Sequence, residues 1–367
     1  MHEKEQLLHR IALSLIPGVG DVLGKKLVAL CGSAEAVFRE PRRHLRKMPR
    51  IGEWLAQETA RTEILRRAET EMTFIDRYRI QPLFFQDRDY PARLRNCPDS
   101  PLMLYYRGST TLNPTRVVGV VGTRKPTDYG RTGTHDLVAG LAPYGVMVVS
   151  GLAYGIDGYA HRAALDCGID TVGVLGHGLD TVYPWLHRPL AERMLMNGGL
   201  LTEFLSRTRP DRNNFPKRNR VIAGMCDAIV VVEAGSRGGA LITADLANSY
   251  NRDVFAIPGR VTDACSEGTN TLIRTNRAAL VQKPADIAWM MGWEGTSGQQ
   301  AAQRRIFLEM TPEEERIVAL LAEKGRVGID DLSIATALPM GRVSASLLNL
   351  EFEGVVTCLP GKVYRLA

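Results

Sequence analysis

The sequence contains no cysteine pair at a spacing typical of a zinc site or of a compact disulfide framework. Its six cysteines stand singly, at Cys31, Cys97, Cys167, Cys226, Cys265 and Cys358. A small disulfide scaffold is therefore excluded, and a reducing compartment fits best. The N-terminus interrupts its apolar residues with charges, and the longest apolar stretch, around 221–234, contains Asp227 and Glu233. We expect a soluble, cytoplasmic protein with no membrane insertion.

The sequence also lacks the motifs of common nucleotide-dependent enzymes. It has neither G-x-G-x-x-G followed by a ribose-binding acid nor G-x-x-x-x-G-K-[ST]. The seven histidines are too scattered for a metal site, and His177, which could face a crevice, is more often a structural residue. Asp157 and Glu233 could serve as acid and base, but nothing in the sequence brings them together. We expect a protein that is not an enzyme, with no cofactor and no metal ion.

The composition is that of an ordinary globular protein. Hydrophobic residues make up 45% and charged residues 23% of the 367, which excludes a disordered chain and allows two or three domains. Lys and Arg number 46 against 40 Asp and Glu, a net charge of +6. This charge permits a polyanionic partner without requiring one.

The chain divides into four predicted segments. Residues 1–70 show apolar residues at helical spacing and predict a small helical domain. Short apolar runs alternate with helical stretches in residues 71–295, which predicts a doubly wound α/β domain around a parallel sheet. Residues 296–310 are polar and suit a linker. Residues 311–367 predict three helices and a β-hairpin, typical of a winged helix, with a helical bundle as the alternative.

Three glycine-bearing turns lead from the carboxyl end of a predicted strand toward a helix. They cover residues 122–130, 151–161 and 235–244. Backbone amides and helix dipoles at such turns attract anions, so their convergence at one sheet edge predicts a phosphate-binding crevice. The alternative is that the glycines only permit tight turns.

Basic residues concentrate in residues 204–220. Six of them stand against the single acid Asp211: Arg207, Arg209, Arg212, Lys217, Arg218 and Arg220. Such a run is often only a solvated surface, but this one contains Phe215. Cations that follow phosphates and a ring that stacks on a base are what single-stranded nucleic acid needs.

Two further features point to anions. Arg124 stands two residues after the strand-terminal Gly122 and is expected to reach the crevice, unless it pairs with a carboxylate such as Asp128 or Asp157. The turn 17–20 resembles a helix-hairpin-helix module, with a weaker copy at 48–52. The basic segment 39–50 suits phosphate contact and plain solubility equally well.

Several motifs together resemble the DNA-processing protein A family, also called Smf (DprA/Smf), of bacterial natural transformation. They read GTRKPTDYG, SGLAYGID, YP, FPKRNRVIAG, VVVEAGSRGGALITA, VFAIPG and GTNTLI, in the family's order. The resemblance implies an extended Rossmann-like core, a helical sterile-alpha-motif-like domain before it and a winged-helix domain after it. It also implies a homodimer, formed through the core, that binds single-stranded DNA, protects incoming DNA and loads the RecA recombinase.

The resemblance also implies which residues contact DNA. The family's glycine-x-arginine motif corresponds to Gly122 and Arg124. The family also has a basic loop that carries an aromatic residue. The aromatic corresponds to Phe215, and the basic positions of the loop correspond to Lys217, Arg218 and Arg220. The walls of the crevice are expected from Gly151, Gly155, Gly238 and Gly239. Asn219 is expected to organise the loop.

The sequence departs from the family at two places. Thr275, Asn276, Arg277 and Ala278 stand where a glycine-alanine pair is usual, which leaves the end of the crevice open to alteration. Arg237 adds charge beside the wall glycines.

Two other functions compete with DNA binding by the core. A nucleotide N-glycosidase of the related phosphoribohydrolase type needs a glutamate near Thr243, where the nearest acid is Asp245. A winged-helix regulator needs a basic recognition helix, and the candidate helix carries only Arg342. A protein-interaction role suits that helix better.

Overall fold

The computed structural model describes residues 2–41, 62–293, 310–359 and 362–366. The turn at 48–52, most of the basic segment 39–50 and all but the last residue of the predicted linker 296–310 lie outside the described residues. The chain forms two compact units, 1–297 and 298–367. The predicted helical domain and the α/β domain belong to the first of them, and their boundary stays a prediction.

The N-terminal helices pack directly on the sheet domain. Those that the structure describes are α1 (His2–Leu15), α2 (Asp21–Cys31), α3 (Ala34–Arg39) and α4 (Thr62–Tyr78). Ile11, Leu27 and Ile75 share one apolar cluster with Phe84 and Tyr105 of the first two strands. The helices therefore bury their apolar faces against the edge of the sheet instead of forming a separate core.

A nine-stranded sheet forms the centre of the first unit. Its strands are β1 (Gln81–Phe84), β2 (Met103–Gly108), β3 (Val117–Val121), β4 (Met147–Ser150), β5 (Thr171–Leu175), β6 (Gly198–Thr202), β7 (Ala228–Val231), β8 (Asp253–Ala256) and β9 (Ala279–Leu280). They are ordered β1-β2-β6-β5-β4-β3-β7-β8-β9. The seven strands from β6 to β9 run parallel, and β1 and β2 are antiparallel additions at one edge.

Helices cover both faces of this sheet. They are α5 (Ala92–Arg95), α6 (Asp128–Leu141), α7 (Ile156–Asp166), α8 (Arg188–Met194), α9 (Asn214–Met225), α10 (Gly239–Ser249), α11 (Glu267–Arg274) and α12 (Pro284–Met290). Val117 and Val121 of β3 pack with residues of α9 and α10, whereas Val118 and Val120 pack with α6 and α7. Alternate side chains of one strand thus enter opposite cores, and the predicted α/β class with a mostly parallel Rossmann-like sheet is confirmed.

The second unit contains α13 (Pro312–Lys324), β10 (Arg326–Gly328), α14 (Ile329–Thr336), α15 (Met340–Phe352), β11 (Val356–Leu359) and β12 (Val363–Leu366). Thr311 caps α13, because its hydroxyl accepts the Glu314 amide at 3.3 Å while its own amide donates to the Glu314 carboxylate at 2.8 Å. The three strands form an antiparallel sheet in the order β10-β12-β11. Across both units, none of the helices that the structure describes combines the length and the apolar character of a transmembrane segment.

Candidate functional site

A crevice of about 350 Å³ opens where β3, β4 and β7 end. Its lining comes from all three predicted turns and from α9: Val121, Gly122, Thr123, Arg124, Ala153, Asp157, Phe215, Arg218, Asn219, Ile222, Ala234, Gly235, Arg237, Gly238, Gly239, Ala240 and Thr243. Because the carboxyl ends of parallel strands share one edge, the turns meet there although they are far apart in sequence.

Backbone hydrogen bonds tie the first turn to the end of β7 and to the second turn. The Thr123 amide donates to the Glu233 carbonyl at 2.7 Å, and the Ile156 amide donates to the Thr123 carbonyl at 3.1 Å. Gly155 makes this approach possible, since its φ is +78° and a Cβ there would lie 2.2 Å from the Thr123 carbonyl oxygen. Of the predicted wall glycines, Gly238 and Gly239 line the crevice, and Gly122 of the glycine-x-arginine motif lines it too. Gly151 is buried behind it, against the Arg218 guanidinium.

Phe215 is a half-buried ring at the mouth of the crevice. The Arg124 guanidinium carbon lies 5.3 Å from the ring centre and that of Arg218 lies 5.9 Å from it. The Tyr183 ring is 6.1 Å away and tilted by 35°. Tyr183 and Tyr154 line a smaller adjoining pocket, and both are missing from the predicted site. Tyr183 could have been found, because the YP motif containing it was among those that carried the resemblance.

Arg124 presents an exposed cation beside this ring. Within the described part of the chain its side chain makes no hydrogen bond and no ion pair. The two carboxylates proposed as partners are engaged elsewhere: Asp128 pairs with Arg131 at 3.1 Å, and Asp157 accepts the Gly151 amide at 3.1 Å. The expected delivery of Arg124 to the crevice matches this geometry, and the alternative of a surface ion pair does not.

Arg218 is a buried cation that holds the crevice floor. It is 4% exposed, and it donates to the carbonyls of Gly151 and Val174 and, at 3.0 Å, to the Asn219 side chain. Burial lowers the pKa of Arg218 to about 10, against the opposing effect of Asp157. Burial likewise raises the pKa of Asp157, which Arg218 opposes. Two of the guanidinium nitrogens of Arg218 therefore already donate hydrogen bonds inside the protein.

Asn219 ties α9 to the glycine wall. Its side-chain nitrogen donates to the Gly239 carbonyl at 3.3 Å, and its oxygen accepts from Arg218. These contacts agree with the organising role expected of it.

The expectation that residues 215–220 form a loop is wrong, since they begin helix α9. Residues two apart on a helix point about 200° from each other, so Arg218 and Arg220 face opposite ways. Arg218 lines the crevice, whereas Arg220 pairs with Asp21 at 2.8 Å and Glu203 at 2.5 Å. Lys217 is exposed and does not line the crevice.

Within the part of the chain that the structure describes, the candidate acid and base, Asp157 and Glu233, form no hydrogen bond with each other. Both oxygens of Glu233 accept from Thr127, its amide at 2.9 Å and its hydroxyl, so this carboxylate anchors the start of α6. His177 is buried beside Gly178 and Tyr183, and burial lowers its pKa, which suits a neutral structural histidine. Within residues 2–41, 62–293, 310–359 and 362–366, no cluster of three His, Cys, Asp or Glu side chains could hold a metal ion.

The competing functions find no support in these positions. Thr243 lines the crevice where an N-glycosidase would need its glutamate, and Asp245 is paired with Arg277. In the second unit, Arg342 of α15 lies 3.4 Å from Glu313.

The departure at 275–278 includes a residue in a left-handed backbone conformation. Asn276 has a φ of +55°, a left-handed conformation that asparagine tolerates better than most residues other than glycine. The turn after α11 therefore forms without the family's usual glycine.

Comparisons with known proteins give one consistent result. Residues 81–292 match the family described as DNA recombination-mediator protein A, and residues 300–362 match the DprA winged helix domain. A Mycobacterium tuberculosis protein that carries the name DNA processing protein DprA is 37% identical to this chain over 350 residues. The match covers 92% of this chain and 88% of the relative. Protein Smf of Escherichia coli is 36% identical over 288 residues, covering 76% and 75%.

Two solved structures are similar throughout most of their length. DNA processing protein A from Streptococcus pneumoniae superimposes with a TM-score of 0.64 at 28% identity, covering 77% of this chain and 97% of that one. The Helicobacter pylori protein, whose structure was described for its single-stranded DNA binding mode, gives 0.53 at 28% identity, covering 58% and 95%.

Proposed function

Because the chain belongs to the DNA recombination-mediator protein A family, we propose that it binds single-stranded DNA, without sequence preference, in the crevice where β3, β4 and β7 end. The observation that carries the proposal is the Phe215 ring beside the unpaired Arg124 guanidinium. A base can stack on the ring while the cation holds the adjoining phosphate. The single-stranded DNA binding described for the H. pylori relative supports the same assignment.

The mechanism consists of binding alone. Loop amides and the start of α10 at Gly239 face the crevice and attract phosphate oxygens, and Arg124 and Arg237 add exposed charge. Arg218 keeps the floor in shape and adds a positive field from below. Neither Asp157 nor Glu233 is free to act as an acid or base, because both hold backbone amides. This arrangement favours a binding protein over an enzyme.

The proposal extends to the wider role implied for the family. In that role the chain protects incoming DNA, loads RecA during natural transformation and dimerises through the α/β core, inside the cytoplasm. Family membership is the support for this part.

Replacing Arg124 by alanine is expected to weaken binding of a dT oligonucleotide about tenfold and to flatten the logarithmic salt dependence by about 0.7. The loss follows from removing one phosphate contact. Phe215→Leu is expected to weaken binding by about 1–3 kcal/mol with an unchanged salt slope, since it removes stacking and retains an apolar side chain. Fluorescence anisotropy at two salt concentrations measures both quantities.

The matched control is Arg193→Ala, which removes an equal charge from α8, where Arg193 pairs with Asp166 at 2.7 Å away from the crevice lining. It should bind like the wild type. The proposal also expects single strands to bind better than a duplex of the same sequence. Equal affinity for both, or wild-type binding by the Arg124 variant, would contradict it.

A further inference from the structure

A second groove lies between helix α4 and the segment that follows β6. It has a volume of about 410 Å³ and is lined by Thr70, Thr73, Phe74, Arg77, Tyr78, Asp180, Ser206 and Arg207. Two arginines and two aromatic rings thus share one open surface with the hydroxyl groups of two threonines and a serine. Arg207, the first basic residue of segment 204–220, lines this groove and not the crevice.

A buried carboxylate builds this groove. Glu71 on α4 is 1% exposed, and it accepts the Ser206 amide at 2.9 Å and the Ser206 hydroxyl at 2.6 Å. Arg67 pairs with Glu71 at 2.8 Å and donates to the Ser206 carbonyl at 2.7 Å. Every polar group of Ser206 is therefore tied to α4, which fixes the two walls relative to each other.

Arg207 is held in a conformation that non-glycine residues rarely adopt. Its φ is +67°, and its amide donates to the Asp180 carboxylate at 2.9 Å. A residue of this kind persists only where its surroundings fix it, as Asp180 and the neighbouring Ser206 do. The result is an exposed guanidinium turned into the groove. The same contact engages Asp180, the one acid among the lining residues.

The opposite wall carries a stacking surface. The Tyr78 ring is 40% exposed and lies 4.7 Å from the Phe74 ring. The Arg77 guanidinium lies 5.6 Å from the Tyr78 ring centre. An open ring supported from behind by a second ring, with a cation beside it, has the same composition as the Phe215 site.

Exposed basic residues follow one another along the chain from the groove toward the crevice. Arg207, Arg209, Arg212 and Lys217 are exposed, and none forms an ion pair with any residue the structure describes. Phe215 stands eight positions after Arg207, so their Cα atoms lie no more than about 29 Å apart. The Gly178 amide donates to the Thr208 carbonyl at 3.1 Å, which attaches this segment to the loop after β5.

We propose that the groove between α4 and residues 205–207 is a second contact for the same single strand, in which a base stacks on Tyr78 and phosphates pair with Arg77 and Arg207. The inference rests on the proposed function, because the crevice supplies the first contact. A strand long enough to reach both sites binds more tightly than a short one. The difference in affinity between a long and a short strand then depends on Tyr78, Arg77 and Arg207.

The experiment compares dT oligonucleotides of about three nucleotides, too short to reach both sites, and of about 20 nucleotides by fluorescence anisotropy. Tyr78→Ala should weaken binding of the longer strand at least about fivefold and leave the shorter one unchanged, whereas Tyr78→Phe should retain wild-type affinity for both. Arg77→Ala/Arg207→Ala should flatten the salt slope of the longer strand alone, by about 1.4. Arg193→Ala should alter neither.

Binding of the short strand serves as the folding control and separates the two proposals. If Phe215→Leu no longer binds the short strand, the short strand binds in the crevice. If the long strand binds the groove variants as tightly as the wild type, or if both strands weaken equally, the groove is not a DNA contact. If the long strand responds to the groove variants while Phe215→Leu has no effect, the groove stands and the crevice assignment fails. If neither strand binds the wild type, both are overturned.

Discussion

Replacing Arg218 by alanine is expected to lower the free energy of unfolding by about 3–5 kcal/mol and to abolish binding of single-stranded DNA. The substitution leaves the carbonyls of Gly151 and Val174 without this donor, and it removes the cation that offsets the buried Asp157 carboxylate. The crevice floor then loses the contact that joins the end of β4 to α9. Urea denaturation measures the first effect, and fluorescence anisotropy measures the second.

The double variant Arg218→Ala/Asp157→Asn is the control for the electrostatic part. It should recover some of the lost stability, because no uncompensated buried carboxylate remains. Wild-type stability of Arg218→Ala would show that these hydrogen bonds contribute little. The single variant is not a clean probe of DNA contact, since a destabilised crevice also fails to bind. Arg124, which is exposed and unpaired within the described structure, is the cleaner probe.

The parallel core could be predicted because its central strands appear in the sequence as continuous apolar runs. β3 and β7 are apolar at every position, as burial on both faces requires. β6 is harder to predict from the sequence, because it opens with Gly198 and Gly199, which weaken any strand signal. The strands β1 and β2 lie at an edge, where they depend on the N-terminal helices for cover.

The glycine turns of the site could be predicted, but the direction of the basic side chains could not. The family resemblance implied a loop at residues 215–220, whereas Pro216 stands in the first turn of α9, where proline is tolerated. Once the segment is helical, the 3.6-residue period assigns Arg218 to the crevice and Arg220 to the far side. The partners of Arg220 decide its role, and Asp21 is 199 positions away in the sequence. No local pattern carries that information.

Replacing Arg220 by methionine is expected to lower the free energy of unfolding by about 3–5 kcal/mol at pH 7.5. The Arg220 side chain is 14% exposed and bridges Asp21 on α2 to Glu203. One oxygen of Glu203, Oε1, is buried without any hydrogen-bond partner among the described residues, so this carboxylate depends on Arg220 for compensation. Because Asp21 also accepts the Leu102 amide at 2.8 Å, loss of the bridge should loosen α2 from the sheet domain. Urea denaturation and limited proteolysis of the N-terminal helices test these effects.

The loss of stability in Arg220→Met should also depend on pH in a defined direction. Burial raises the pKa of Glu203, and Arg220 opposes that rise, so removing Arg220 raises this pKa further. A carboxyl group whose pKa is higher in the folded state takes up protons on folding, so its contribution favours folding at low pH and is lost as the pH rises through the folded pKa. The difference from wild type should therefore be smaller at pH 5 than at pH 7.5. Arg220→Met/Glu203→Gln should recover part of the stability and lose this pH dependence. An equal loss at both pH values would mean that Glu203 is not the group left uncompensated.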